Sequence, residues 1–224
     1  MKGGTFEGEV SKEFSLYLTQ MKTEDGVWRT EASGARATSK AKANMQTRMD
    51  QYGDITYTIP ETKFWFDVFS VECKTGYAKK TKDKTKTKTT LTHWSLLDMI
   101  DSSQKVSQFH EFWEQTLNDA IESKREPMLV FRRNRRSKCI AMHKDIFTAF
   151  LSSFGIPSVN YLTLNTMFDP IPITIINLDL FIIAVSVNRI KLYYYVSVTF
   201  LICVITCNHS VKLKLANWPV WRAK

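Results

Sequence analysis

The chain has 224 residues, of which 44% are hydrophobic and 24% are charged, a balance that excludes a globally disordered protein. This length is enough for one well-buried domain with an appendage, but hardly for two full domains. Lysine and arginine total 31 against 22 acidic residues, and the formal net charge of +9 favours a polyanionic partner, nucleic acid before a membrane.

The cysteines and the first residues bear on the cellular compartment. Cys73, Cys139, Cys203 and Cys207 show no CxxC spacing and are too few for a disulfide scaffold. A reducing, intracellular (cytoplasmic) location is therefore expected. Residues 1–10 are polar and rich in glycine, and they lack the apolar segment of a signal peptide.

A hydrophobic tail is predicted to follow the main domain, with the domain over residues 1–178 and the tail over residues 179–224. Residues 180–207 carry only two charges, Arg189 and Lys191. Within this range, the run of mainly aromatic and β-branched residues covers only residues 193–207, which is shorter than the roughly 20 residues that a membrane-spanning helix needs. A buried or oligomerising pair of strands is therefore predicted rather than a membrane anchor.

The first part of the chain is predicted to form a helix, a basic connection and two strands. Apolar residues at helical spacing predict an amphipathic helix over residues 9–22. Residues 26–52 are basic, with few large apolar side chains, and are predicted to be a connection. Residues 54–59 alternate as in a half-buried strand. After a turn at 60–63, the apolar segment 64–74 predicts a second strand that completes an antiparallel hairpin.

The remaining elements predict α/β or α+β architecture around a mixed sheet. Lysine and threonine alternate over residues 79–88, which predicts a loop or flexible arm. An apolar stripe between residues 109 and 121 predicts a helix. Further predicted elements are a hairpin of strands at 127–131 and 138–142, a helix at 145–154 with Asp145 as its cap, and strands at 160–164 and 173–178.

Asp54, Glu72 and Lys74 form the pattern that points to chemistry. Alternate residues of a strand share a face, so Glu72 and Lys74 project together, and Asp54 on the partner strand can reach the same spot. Two carboxylates so close together favour a bound divalent cation, and Mg²⁺ suits such oxygen ligands, with Mn²⁺ as an alternative. The metal would acidify a bound water and neutralise charge on a scissile phosphate. Lys74 could orient or deprotonate that water, or stabilise the phosphorane oxygen.

A charged pair two residues apart in a strand usually marks only a solvated face. Here the pair ends a segment, residues 64–71, that is otherwise almost entirely apolar. Buried charges need a partner or a metal, which favours a functional site. Asp67 is expected on the opposite face of the strand and is therefore not included.

The segments Gly-Asp-Ile at 53–55 and Val-Glu-Cys-Lys at 71–74 resemble the signature of the PD-(D/E)XK nuclease superfamily, with glycine where proline often stands. The resemblance implies a restriction-endonuclease-like fold, in which a mixed β-sheet is flanked by helices. It also implies that Asp54 and Glu72 hold the metal and that Lys74 assists catalysis.

Three further segments are similar to the phage and archaeal Holliday-junction-resolvase-like branch. These are Glu13-x-x-Leu16 in the first helix, Arg29 followed by Ser33-Gly34, and the strand at 127–131 with the strand after it. The resemblance covers roughly residues 6–150. It implies that Glu13 completes the acidic cluster, and that the protein is a homodimer whose two active sites cut the two strands of branched DNA.

Basic residues on both sides of the acidic cluster are predicted to contact phosphates, giving salt-dependent and mostly sequence-independent binding. Lysine-rich surfaces are also often merely solvated. The predicted nucleic-acid-binding residues are Arg29, Arg36, Lys79, Lys80, Lys82, Arg132, Arg133, Arg135 and Arg136.

The sequence contains no zinc-ligand spacing, Walker loop, GxGxxG or GxSxG, so a zinc site, a nucleotide cofactor and a serine hydrolase are not predicted. The predicted function is a Mg²⁺-dependent DNA endonuclease that hydrolyses phosphodiester bonds, in branched DNA. The alternatives are a restriction- or repair-type endonuclease on duplex DNA, a non-catalytic nucleic-acid-binding protein, and a membrane-associated protein that uses residues 180–207.

Overall fold

The computed structural model describes residues 3–30, 52–75, 79–82, 87–90, 108–133, 136–154, 159–166 and 169–185. Within these ranges the helices are α1 (Gly3–Leu18), α2 (Pro60–Val68), α3 (Gln108–Ser123), α4 (Lys144–Phe154) and α5 (Leu178–Ala184). The strands are β1 (Val27–Arg29), β2 (Ile55–Tyr57), β3 (Phe69–Thr75), β4 (Lys79–Lys82), β5 (Thr87–Thr90), β6 (Glu126–Arg132), β7 (Lys138–His143), β8 (Tyr161–Leu164) and β9 (Ile173–Asn177).

The central sheet has five strands in the order β3-β6-β7-β9-β8. Strands β3 and β6 are parallel, with Phe69 opposite Glu126 and Thr75 opposite Arg132. The other neighbouring pairs of this sheet are antiparallel. The crossover from β3 to β6 includes α3, as a parallel pair requires a long connection. The predicted mixed sheet flanked by helices is confirmed, and so is the closing hairpin, which is β6–β7.

Side chains of the sheet alternate between two apolar layers. On one face, residues such as Val71 and Val130 pack with buried residues of α1, α2, α4 and α5. On the other face, Leu129 and Phe131 pack against Trp113 of α3. The residues of β3 that alternate with Val71 therefore face α3.

Trp65 of α2 lies at the centre of an aromatic cluster that joins several helices. Its ring stacks on Phe150 of α4 at 6.3 Å with an interplanar angle of 5°, and meets Phe181 of α5 edge-on at 6.3 Å. Such pairs contribute roughly 0.5–1.5 kcal/mol beyond their buried area. The Tyr17 hydroxyl donates to the Val185 carbonyl at 2.7 Å. Helix α5 thus belongs to the same core as α1 and α2, and the domain division at residue 178 stays a prediction.

The strand predicted over residues 64–74 is wrong in its first half, which is helix α2. Pro60 occupies the first turn, where its missing N–H costs no hydrogen bond. Residues 64–66 are all buried, so the segment shows neither a helical nor a strand period, and its aromatic composition favoured a strand. Asp67 lies on this helix and pairs with Lys63 at 2.7 Å; it does not lie on the far face of a strand.

The predicted hairpin between residues 54–59 and 64–74 is wrong for the same reason, because α2 intervenes. Strand β2 pairs antiparallel with β1, with Arg29 opposite Ile55, while β3 pairs with β6. Asp54, which directly precedes β2, nevertheless contacts β3 through hydrogen bonds with the backbone of that strand.

Other element boundaries also differ from the prediction. The first helix begins at Gly3 and ends at Leu18, because Gln20 and Met21 adopt positive φ angles of 55° and 67°. Helix α4 begins at Lys144, so Asp145 lies within the first turn, where its carboxylate accepts from the Ile146 N–H. In the lysine segment, residues 79–82 and 87–90 form the antiparallel pair β4–β5, so the predicted loop is wrong for these residues, and residues 83–86 lie outside the described residues.

The hydrophobic tail is described only in part. Residues 180–184 are helical in α5 and do not belong to a pair of strands, while residues 186–224 lie outside the described residues. Among the described helices, none has the length and apolar character needed to cross a membrane. Cys73 and Cys139 are free thiols, and the other two cysteines lie outside the described residues.

A buried polar cluster ties β6, β7 and α3 together. His143, at the end of β7, lies 3.2 Å from the Glu126 carboxylate through Nδ1 and 3.2 Å from the Asp169 carboxylate through Nε2. Asp169 also accepts a 2.8 Å hydrogen bond from the Trp113 indole. Burial lowers the pKa of His143, but the hydrogen bonds and charges of the two carboxylates outweigh it and raise that pKa. When the ring is protonated, both of its nitrogens can donate, one to each carboxylate.

We expect His143→Gln to lower the free energy of unfolding by about 1–3 kcal/mol at about pH 5.5, since a buried network is broken. The raised pKa means that the wild-type advantage is complete below the ordinary histidine value and is lost as pH rises through the folded value. Urea denaturation of both proteins at about pH 5.5 and about pH 9 measures the difference. A difference that is equal at both pH values would contradict the assignment. His110→Gln is the control, because burial lowers the pKa of His110 and the same trend should be absent.

Candidate active site

Asp54 lies on the outer edge of β3. Because β3 ends the central sheet, its outward Val71 carbonyl and Cys73 N–H have no strand partner. Asp54 forms a hydrogen bond with each of these groups: its N–H donates to the Val71 carbonyl at 2.8 Å, and its Oδ2 accepts from the Cys73 N–H at 2.9 Å. The Thr30 N–H donates to the Asp54 carbonyl at 3.0 Å. Together, these hydrogen bonds fix the position and the direction of the Asp54 carboxylate.

Gly53 makes this close approach sterically feasible. Its φ angle is +79°, in the left-handed region that favours glycine. A Cβ at this position would lie 2.8 Å from the Val71 oxygen and 3.0 Å from the Val71 nitrogen. The Thr30 hydroxyl donates to the Gly53 carbonyl at 2.8 Å. Any side chain here would push the segment off the edge of β3, and Asp54 would move with it.

Glu72 and Lys74 project from β3 toward α3 and meet Asp54. The Lys74 ammonium lies 2.6 Å from Glu72 Oε2 and 3.7 Å from Asp54 Oδ2. Glu72 is 0% exposed and Asp54 is 4% exposed. The Lys74–Glu72 contact is an ion pair rather than a directed hydrogen bond, since neither Glu72 oxygen accepts one from the described residues. The structure thus brings together the three residues that the sequence singles out.

Burial dominates the electrostatics of this cluster. Desolvation raises the pKa of Asp54 to about 7, and the charge of Glu72 adds to the effect while Lys74 opposes it. Desolvation also raises the pKa of Glu72 to about 7, again opposed by Lys74. Burial lowers the pKa of Lys74, but the two carboxylates raise it overall, so this residue is an ammonium. One ammonium does not compensate two buried carboxylates, which leaves the site suited to a further cation.

A third carboxyl group, which sequence reasoning missed, lies next to Glu72. Asp119 of α3 is 6% exposed, and together with burial it raises the pKa of Glu72. It stands between Thr116 and Ala120, two other buried residues of the helix. An acidic residue within the buried stripe of an amphipathic helix is the signal that could have identified it.

Glu13 of α1 forms an ion pair with Lys138 at the start of β7. Lys138 shares a strand face with Ile140, which belongs to the core on the α1 side, whereas Glu72 faces α3. Glu13 is therefore engaged on the other face of the sheet. Its place in the acidic cluster stays a prediction.

Two arginines predicted to contact nucleic acid are paired with other carboxylates of α1. Arg29 Nε lies 2.6 Å from Glu7, and Arg132 Nη1 lies 2.6 Å from Glu9. Partly exposed pairs of this kind contribute about 0–1 kcal/mol. They hold these arginines only weakly, so a phosphate could replace the carboxylate.

Arg133 and Arg136 are exposed in the turn between β6 and β7, where the Arg136 N–H donates to the Arg133 carbonyl at 3.1 Å. The register sets Arg132 opposite Thr75, so this turn follows at the end of the sheet where Lys74 lies. Of the other predicted contacts, Lys79, Lys80 and Lys82 lie on β4, whereas Arg36 and Arg135 lie outside the described residues.

Asp54 and Glu72 fit a hard divalent cation. Both side chains are buried, and the Glu72 oxygens accept no hydrogen bond from the described residues. In the parts of the chain that the structure describes, no three His, Cys, Asp or Glu side chains form a metal-binding group. A cation here would therefore be held by two carboxylates and complete its shell with water or substrate oxygens, as Mg²⁺ commonly does.

A mixed sheet whose edge strand carries Glu-x-Lys, with an aspartate docked beside it, has the architecture of a PD-(D/E)XK nuclease. The sequence matches, over residues 1–191, the family described as "Phage putative PDDEXK endonuclease". The chain belongs to this family, and the protein is a nuclease. No curated protein and no solved structure matches the chain.

Gly53→Ala tests the docking of Asp54. We expect the free energy of unfolding to fall by about 1–3 kcal/mol, because alanine is strained at this φ and contacts the Val71 backbone. Nuclease activity should be lost even at temperatures where the variant is folded, since Asp54 is displaced. Denaturation curves and cleavage rates measure the two effects. Gly8→Ala on α1 is the control: nothing lies within 4 Å of the added Cβ, so neither quantity should fall. Full activity of Gly53→Ala would refute the argument.

Glu72→Gln tests the cost of the buried charge. In EDTA we expect this variant to be more stable than the wild type by about 1–3 kcal/mol at about pH 8, and equally stable at about pH 4.5. The raised pKa means that wild-type stability falls as pH rises from the ordinary glutamate value toward about 7, whereas glutamine does not ionise. Urea denaturation at both pH values supplies the comparison. A variant that is less stable than the wild type at about pH 8 would show that the Glu72 charge is compensated without a cation.

Proposed function

We propose that this nuclease is a Mg²⁺-dependent DNA endonuclease that hydrolyses phosphodiester bonds at the Asp54, Glu72 and Lys74 cluster. The observation that carries the proposal is the convergence of two buried carboxylates on one ammonium at the edge of β3. Asp54 and Glu72 would hold the cation, with Mn²⁺ as an alternative to Mg²⁺. When bound, the cation would supply an activated water and charge stabilisation at the phosphate.

Lys74 acts in this proposal as a fixed positive charge. Its raised pKa keeps the ammonium protonated at neutral pH, so it is poorly suited to remove a proton from water. Its side chain is 17% exposed, in contrast to the fully buried Glu72, and is thus the part of the cluster that a phosphate can approach. Lys74 would orient the attacking water and stabilise the negative charge that develops on the phosphate oxygens.

The basic residues support DNA as the substrate. The net charge of +9 and the exposed Arg133 and Arg136 at the Lys74 end of the sheet suit a phosphate backbone. Branched DNA and a homodimer are proposed from the resemblance of the Glu13, Arg29 and 127–131 segments to junction resolvases. The predicted contribution of Glu13 to the acidic cluster and an intracellular location belong to the same proposal.

The test is a cleavage assay of the full-length protein on a labelled four-way junction and a matched linear duplex, with Mg²⁺, Mn²⁺ or EDTA. We expect cutting only with a divalent cation, and a loss of about 100-fold or more for Lys74→Ala. Lys63→Ala removes an exposed lysine of α2 and should leave the rate unchanged. Paired cuts on two strands of the junction would support the dimeric resolvase.

Other outcomes of the same assay select among the alternatives. Preferential cutting of the linear duplex would favour a restriction- or repair-type endonuclease. DNA binding without cleavage under every metal condition would overturn the catalytic proposal and leave a non-catalytic nucleic-acid-binding protein.

A further inference from the structure

Trp28 is a large side chain that the fold leaves exposed to solvent. It lies on β1 and is 53% exposed, whereas Trp65 and Trp113 are both buried. Single apolar side chains are common on protein surfaces and need no function by themselves. The position of Trp28 relative to the acidic cluster is what sets it apart.

The pairing of β1 with β2 makes Trp28 a near neighbour of Asp54. Trp28 lies opposite Thr56 in the register. Two residues further along, the Thr30 N–H donates to the Asp54 carbonyl at 3.0 Å, which continues the same pairing. Asp54 is thus the diagonal neighbour of Trp28 across the two strands. Diagonal neighbours lie roughly 7–8 Å apart, within reach of an aromatic side chain.

Trp28 and Asp54 also lie on the same side of this strand pair. Val27 and Ile55 belong to the core on the α1 side, and successive side chains of a strand point to opposite faces. Trp28 therefore points away from α1. The Asp54 carboxylate does so too, since it approaches Lys74, which projects from β3 toward α3. The exposed indole therefore flanks the acidic cluster on the side that carries Lys74.

The surroundings of the indole favour a nucleic-acid base over a protein as its partner. Thr30 and Thr56, which share its face, are polar, so the ring does not belong to a continuous apolar patch of the kind that binds proteins. The net charge of +9 favours a polyanion. A flat aromatic ring beside a positively charged path is the usual device for holding single-stranded nucleic acid, because every base has a π-face.

We propose that Trp28 stacks on an unpaired base of the DNA strand whose phosphate lies at the acidic cluster. The proposal rests on the nuclease function proposed above and specifies its substrate class. A base can stack on a protein ring only after it leaves the stack of its own helix, and this costs least where the base is already unpaired. The preferred substrate is therefore DNA with unpaired bases beside the cleaved bond, rather than a perfect duplex.

The experiment measures the affinity of the full-length protein for labelled oligothymidine by fluorescence anisotropy, in EDTA so that the strand is not cut. A second strand of equal length carries abasic sites, and thus has the phosphates without the bases. We expect Trp28→Ala to weaken binding to oligothymidine about 5–150-fold, and to leave binding to the abasic strand unchanged. Because stacking involves no net charge, the loss should be the same at low and high salt.

Three further variants show whether the π-face is what matters. Trp28→Phe keeps a smaller ring and should stay within about threefold of the wild type. Trp28→Leu keeps apolar area without a ring, so it should bind like Trp28→Ala, and it answers the same question if the alanine variant does not fold. Tyr161→Ala removes an exposed aromatic side chain from β8, at the opposite edge of the central sheet, and should bind both strands normally.

Two outcomes would overturn the proposal: normal binding of oligothymidine by both Trp28→Ala and Trp28→Leu, or an equal loss of affinity for oligothymidine and for the abasic strand. Cleavage by the same proteins in Mg²⁺ separates this failure from that of the proposed function. If the wild type cuts DNA and the Trp28 variants bind and cut as it does, only the stacking role is wrong. If the wild type cuts no DNA with any divalent cation, yet Trp28→Ala loses affinity for bases, the catalytic function is wrong and the stacking role stands.

Discussion

The docking of Asp54 on the outer edge of β3 is the contact on which the site depends. An edge strand exposes unpaired backbone groups, and here one residue engages both the Val71 carbonyl and the Cys73 N–H. The carboxylate that pairs with the backbone is the same one that approaches Lys74. Because Gly53 has no Cβ, the segment lies directly against β3. Closure of the edge and assembly of the acidic cluster are therefore a single structural event.

Desolvation, rather than ion pairing, determines the direction in which the pKa values of the two carboxyl groups beside Lys74 are shifted. Lys74 attracts both Asp54 and Glu72, yet burial still raises the pKa of each to about 7. This result is expected for buried ion pairs, because the free energy lost on removing the charges from water is often as large as the free energy gained from their attraction. The geometry is therefore maintained by backbone hydrogen bonds and by the aromatic core around Trp65. The cluster itself is a destabilised arrangement, which suits the cation binding proposed above.

The sequence allowed the meeting of Asp54, Glu72 and Lys74 to be predicted, but not the way in which they meet. The two-residue spacing of Glu72 and Lys74 fixes a common face in any strand. The hydrophobic pattern around β3 does not predict which strand pairs with it, because the partner, β6, lies beyond α3 in the chain. Residues 64–66 are buried on every side, so their pattern could not distinguish helix from strand. The position of Asp119 depends on how closely α3 approaches β3, and no local pattern determines that distance.

The acidic side of α1 also determines which basic residues are available to a polyanion. To contact a phosphate as proposed, Arg29 would have to leave Glu7, and Arg132 would have to leave Glu9. Since such partly exposed pairs are weak, the exchange is nearly neutral and adds little affinity. The exposed turn between β6 and β7 forms no such ion pair within the described residues, and it lies at the end of the sheet that carries Lys74. Under the proposed function, phosphate contacts there would add affinity without competition and would place the backbone of a bound strand beside the acidic cluster.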